Sequence, residues 1–170
     1  LRILVADDVA ENVQLMEVML RAEGHRVYSA GNGLSAFERV VDDRFDLILM
    51  DMQMPEVDGL EATRIIRRYE ANMGYPPTPI IALTASVLDR DREAARAAGM
   101  EGFASKPVDR EALKREIARV LGLQLADEVS LKPATARGPQ LVDWYAGEQR
   151  WGDRQALIEA IQRFLADLPA

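Results

Sequence analysis

The chain of 170 residues contains no cysteine and a single histidine. Disulfides and thiolate metal sites are therefore excluded, and zinc, which takes Cys or several His, is a poor match. No apolar run approaches the ~20 residues of a membrane span. No secretory leader is read, because the first residues already have the pattern of a core strand. A surplus of positive charge is missing as well. The net charge of −7 argues against a nucleic-acid surface, which needs clustered Lys and Arg. Together these absences point to a cytoplasmic address. The chain opens at Leu1 without a methionine, so we expect an excised piece of something longer, and the parent has room for a membrane anchor elsewhere.

What is present is ordinary for a soluble globular protein. Hydrophobic residues make up 48% and charged residues 29%, enough for a sizeable core, and the length suits one full domain with part of a second. Continuous apolar runs at 3–6, 47–50 and 80–83 suit strands buried on both faces of a parallel sheet. Two more polar candidates, 26–30 and 102–105, suit half-exposed edges. Between them lie five amphipathic helix patterns. The first carries Val9, Val13, Met16 and Leu20 and stops at Gly24. The second places Ala36, Phe37, Val40 and Val41 on one face. The third starts at Asp58, with Glu61 three residues on as a capping-box variant, and buries Ala62, Ile65, Ile66, Tyr69 and Met73. The fourth spans about 87–98 before Gly99, and the fifth runs from Asp109 to Gly122 with Leu113, Ile117, Val120 and Leu121 inward.

Alternating strands and helices predict an α/β domain with right-handed crossovers. With the second and fifth strands as edges, the order is 2-1-3-4-5, a flavodoxin-like sheet with five helices. Ligands bind such sheets beyond the carboxyl ends of strands 1 and 3, at the topological switch point. The residues that follow the apolar runs are then informative. Asp7 and Asp8 follow the first, Asp51 the third, Thr84 the fourth, and Lys106 the fifth.

Three carboxylates in one crevice repel, by about 4 kcal/mol per pair at 4 Å and an effective dielectric near 20. Without a counter-charge one of them is expected to raise its pKa. A bound Mg²⁺ resolves the conflict, since it favours hard oxygen ligands. The same ion, with Lys106 opposite and Thr84 as a hydrogen-bond donor, suits phosphoryl transfer, which needs mainly positioning and charge stabilisation. Asp51 is the best candidate nucleophile, because it is single, central and followed by a loop.

The segment Asp51-Met52-Gln53-Met54-Pro55-Glu56-Val57-Asp58-Gly59, with Asp7-Asp8, Thr84-Ala85 and Lys106-Pro107, resembles the receiver domain of two-component response regulators over residues 1–122. The resemblance implies that Asp51 is the phosphoacceptor, that Asp8, Asp51 and the Gln53 backbone carbonyl ligate Mg²⁺, and that Asp7 acts mainly through a metal-bound water. It implies that Lys106 contacts the phosphoryl group and that the Lys106-Pro107 bond is cis. It also makes Thr84 and Phe103 a coupled switch that shifts the surface of the fourth helix, fifth strand and fifth helix. The implied partner is the phospho-histidine of a kinase dimerisation domain or of a histidine phosphotransfer domain, with no nucleic acid and no direct membrane contact. Whether two receivers pair as a homodimer stays open.

Residues 123–141 read as a linker. In 142–170, Ala156, Leu157, Ala160, Ile161, Phe164, Leu165 and Leu168 repeat at helical spacing behind Asp153, and this stretch is similar to the opening helix of a histidine phosphotransfer domain. The parent would then resemble a hybrid sensor histidine kinase, and the fragment is not a stand-alone enzyme. Arg67, Arg68, Arg90, Arg92 and Arg96 read as solvated helix faces, and His25 as an exposed loop residue. Two other functions are weighed. A haloacid-dehalogenase-type phosphatase also uses an Asp nucleophile at a strand end, but wants a second Asp two residues later, where Gln53 stands. An interaction module that is never phosphorylated would not need the full set of five site residues.

Overall fold

The computed structural model describes residues 1–85 and 89–123. The proposed linker beyond Leu123 and the helical segment 142–170 lie outside the described residues, as does the second of the two units into which the chain divides, Val129–Ala170. The first unit alternates β1 (Arg2–Ala6), α1 (Ala10–Ala22), β2 (Arg26–Ala30), α2 (Gly33–Asp42), β3 (Leu47–Asp51), α3 (Gly59–Met73), β4 (Ile80–Thr84), α4 (Asp89–Ala98), β5 (Gly102–Ser105) and α5 (Arg110–Leu121). All pairings are parallel and the order is β2-β1-β3-β4-β5. This is the flavodoxin-like arrangement expected from the alternation.

Burial explains which strands are central. Every residue of β3 and β4 is buried, whereas β2 and β5 mix buried, half-buried and exposed positions. Ile3, Val5, Leu47, Leu49, Ile81 and Leu83 join Met16 and Leu20 of α1 and Leu113 and Ile117 of α5 in one core cluster. Each such side chain contributes roughly 1.5–3 kcal/mol by leaving water, so the sheet is held mostly by its middle.

Local chemistry sets the helix ends. The Asp58 carboxylate accepts the Glu61 N–H at 2.8 Å, and Asp109 accepts the Ala112 N–H at 2.7 Å. Asn32 and Ser35 cap α2 reciprocally, satisfying two of its free N–H groups. Gly74 and Gly122 close α3 and α5 in the left-handed conformation, which costs glycine nothing.

Three packing expectations need correction, the first being Val9, which precedes α1 as its N-cap residue and is exposed. Met73 is exposed and Tyr69 only half-buried. A 15-residue helix is about 22 Å long and a five-residue strand about 17 Å, so the last turn of α3 outruns the sheet. There Tyr69 packs edge-on against Phe37 and Tyr75 instead. Val41 of α2 is likewise only partly buried. The fourth helix is described from Asp89, and residues 86–88 lie outside the described residues.

Candidate functional site

Register brings the site together. Ala6 of β1 lies beside Met50 of β3, so the next residues, Asp7 and Asp51, emerge as neighbours. Asp51 pairs with Leu83 and Thr84 with Ser105, which places Thr84 and Lys106 successively further along the same edge. Backbone bonds extend the alignment past the strands: Met52 N–H donates to Leu83 at 3.1 Å, and Lys106 N–H to Thr84 at 2.8 Å. The Lys106-Pro107 peptide bond is cis.

Asp7, Asp8 and Asp51 each offer a carboxylate oxygen, and these oxygens lie within 4.8 Å of one another. Asp7 and Asp51 are 1% and 4% exposed, while Asp8 faces solvent. The Lys106 ammonium sits between the buried pair, 2.7 Å from Asp7 Oδ2 and 2.6 Å from Asp51 Oδ2. The counter-charge that three carboxylates require is thus partly supplied by the chain itself.

Each carboxylate is also held by neutral donors. Asp7 accepts the Val9 N–H at 2.9 Å and the Asn12 amide at 3.1 and 3.2 Å. The N-cap residue of α1, Val9, offers no side-chain cap of its own, and Asp7, two residues before it, takes up the Val9 N–H. Asp51 accepts the Gln53 N–H at 3.1 Å. Asn12 was not anticipated from sequence, because an Asn inside an amphipathic helix carries no signal until Asp7 lies beneath it.

Burial raises the Asp51 carboxyl above the ordinary aspartate range. Hydrogen bonds from Lys106 and Gln53 oppose that rise, and the Asp7 charge adds to it only weakly. The direction matches expectation, but desolvation and not carboxylate repulsion leads. For Lys106, burial pulls the ammonium down, and its hydrogen bonds to Asp51 and Asp7 outweigh burial to leave it raised. Asp51 and Lys106 are thus joined by a direct hydrogen bond in a partly buried setting, a carboxyl group beside a fixed ammonium.

The loop over the site is tightly built. Gly59 opens α3 against the Asp51 carbonyl, where a Cβ would come within 2.0 Å. Glu56 takes a left-handed φ of 67°, an uncommon conformation for a residue with a side chain. On the other flank an open cleft of about 430 Å³ is lined by Asp8, Gln14, Glu17, Ser29 and Gly31 among others. Beside it α1 presents Leu15 and Val18, 51% and 65% exposed.

Comparison with known proteins agrees with this fold. The family model described as "Response regulator receiver domain" matches residues 3–118. The sensor histidine kinase GacS of Pseudomonas protegens is 33% identical over 127 residues, covering 75% of this chain and 14% of that protein. The osmosensing histidine protein kinase SLN1 of Saccharomyces cerevisiae is 40% identical over 119 residues, covering 66% of this chain and 9% of that protein. The chain thus spans about a seventh or less of these two relatives. Among solved structures, the receiver domain of sensor histidine kinase PA1611 from Pseudomonas aeruginosa, with a magnesium ion coordinated in its active-site cleft, is 39% identical with a TM-score of 0.62, over 71% of this chain and 97% of that one. The receiver domain of Ssk1 in its co-crystal with the Saccharomyces cerevisiae histidine phosphotransfer protein Ypd1 is 30% identical with a TM-score of 0.69, over 75% and 94%.

Proposed function

The chain belongs to the response regulator receiver family and is a phosphorelay receiver module, and from that premise we propose that Asp51 is its phosphoacceptor. The observation that carries the assignment is the buried Asp51 carboxylate held against Lys106, with Asp7 and Asp8 within reach of a shared cation. An Asp51 oxygen attacks the phosphorus of a phospho-histidine. The new P–O bond forms as the P–N bond breaks, and the imidazole leaves with the electron pair. Lys106 meets the incoming negative charge, Thr84 donates to a phosphoryl oxygen, and Asp7 holds Lys106 and the start of α1 in place.

The all-oxygen donor set, two carboxylates buried and one open, fits Mg²⁺. Asp8, Asp51 and the Gln53 carbonyl would hold it, with Asp7 acting through water; when bound, the ion neutralises phosphoryl charge that Lys106 alone cannot match. The donor is a histidine on a helical partner, a kinase dimerisation domain or a phosphotransfer domain. Leu15 and Val18 on α1, beside the acidic cleft, suit such a helix, and the Ssk1–Ypd1 co-crystal supports that class of partner. The family's relatives favour a hybrid sensor kinase as parent. Among the described residues no helix is long and apolar enough to cross a membrane.

The direct test is intact mass after incubation with acetyl phosphate and Mg²⁺, alongside Asp51→Asn. One added phosphoryl group that requires Mg²⁺ and disappears in Asp51→Asn is the expected result. An unmodified wild-type chain under conditions where Mg²⁺ binds would overturn the assignment and favour an interaction module instead.

A further inference from the structure

Phe103 is the one aromatic residue of β5, half-buried at the α4–β5–α5 surface. Its backbone is fixed from the α5 side. The Phe103 N–H donates to Glu116 Oε1 at 2.9 Å, and Arg119 grips the same carboxylate at 2.7 and 2.8 Å. At Gly102 a Cβ would meet Ile81 and Val120 at 2.8 Å, so α5 and β4 close on the strand with no slack. The ring is held from the other side. Arg92 and Arg96 of α4 place their guanidinium carbons 5.8 and 5.5 Å from its centroid, inside the ~6 Å range of cation–π attraction. Being four residues apart, the two lie on one face of α4. Both are exposed, and from sequence they read as a solvated face.

We propose that Arg92 and Arg96 form a cationic latch on the Phe103 ring, which couples α4 to a strand whose backbone α5 holds still. The ring is thereby tied to α4 and not to β5 alone, and a shift of α4 carries the ring with it. A phenyl ring has no hydroxyl to hydrogen-bond across this surface, and two guanidiniums on its face supply the missing hold. Glu116 belongs to the same device. Its hydrogen bond with Arg119 draws its carboxyl below the ordinary range, with smaller pulls from the Phe103 N–H and the Arg92 charge. It therefore stays an anion and an acceptor through neutral pH. The coupling to phosphorylation rests on the reading of Asp51 as phosphoacceptor; the latch itself does not.

The test follows the Phe103 ring by NMR in the full chain carrying ring-¹³C phenylalanine, in wild type, Arg92→Gln, Arg96→Gln, the double Gln variant and the double Lys variant. At exposed sites each cation is expected to favour the latched ring position about two- to fivefold. The Phe103 signal should move with each Gln substitution, furthest in the double variant, and return toward wild type with Lys, which keeps the charge. Unmoved Phe37 and Phe45 signals show that the fold is intact. With Mg²⁺ and beryllofluoride, Phe103 and the α4 amides should shift together in wild type and separately in the double Gln variant. A Phe103 signal identical in wild type and the double Gln variant, or Lys substitutions as disruptive as Gln, would overturn the latch. Acetyl phosphate labelling of the same samples separates the two readings: an unlabelled wild type removes the Asp51 assignment and leaves the metal-free Phe103 comparison decisive for the latch.

Discussion

Gly59→Ala should damage the site without touching a charged group. A Cβ at this position would lie 2.0 Å from the Asp51 carbonyl oxygen, 2.9 Å from the carbonyl carbon and 3.1 Å from Met50 Cγ. Ordinary contact needs about 3.5 Å, so roughly 1.5 Å of movement is required. The first two partners are backbone of a fully buried strand and cannot swing aside. Either α3 lifts from β3 or the end of β3 is displaced, and Asp51 is at that end. Overpacking of this kind costs about 1–3 kcal/mol, or roughly 5–15 °C in Tm for a domain of this size. A reacting group displaced by 1 Å can lose about 10²-fold in rate, so acetyl phosphate labelling should slow at least that much at temperatures where the variant is folded. Gly31→Ala is the control, since a Cβ there meets nothing within 4 Å and should change stability by under about 0.5 kcal/mol. Thermal unfolding and timed intact mass read both quantities. Gly59→Ala with wild-type Tm and wild-type labelling would refute the claim that this contact positions Asp51.

Mg²⁺ should raise Tm, by the equivalent of about 2.7 kcal/mol at a hundredfold excess over Kd, with reversal by EDTA. Asp8→Asn, at an exposed position, should leave the metal-free Tm unchanged and abolish most of that rise. Glu116 makes stability pH-dependent in one direction. Because its folded pKa is lowered, its contribution is complete above the unfolded glutamate value and drains away as pH falls through the folded one. Glu116→Gln should therefore flatten the acid limb of a stability–pH curve, and an unchanged limb would count against the pairing. Glu70 is 1% exposed and accepts the Thr78 N–H and an Arg67 guanidinium N–H, both at 2.7 Å. Glu70→Ala should cost about 1–3 kcal/mol in urea unfolding while Asp51 labelling stays at the wild-type rate.

Residues whose neighbours are close in sequence were easy to anticipate. Asp58 and Asp109 cap helices that begin at the next residue, and the apolar runs of β3 and β4 declare their burial without help. Residues that work across the fold were not. Nothing in the sequence singles out Glu70, yet it is buried, with its carboxylate satisfied by the Thr78 N–H eight residues on and by Arg67. Arg67 reads as solvated and instead donates to Gly99 and Glu101. Asn12 likewise meets Asp7 only through the fold, and Arg92 and Arg96 are exposed as expected but lie over the Phe103 ring, which their own helix does not reveal.

Sequence alone determined the alternation of strand and helix, the identity of the central strands, and which residues stand at their carboxyl ends. Those are local properties, set by hydrophobic runs and by the residue that ends each one. Tertiary structure decided the rest. Parallel register set Asp7 beside Asp51, Lys106 came to lie on both, Gly59 was pressed against the Asp51 carbonyl, and two arginines were laid over Phe103. Each of these depends on how separate segments pack. The energy that selects them is burial and pairing between residues tens of positions apart, which no window along the chain contains.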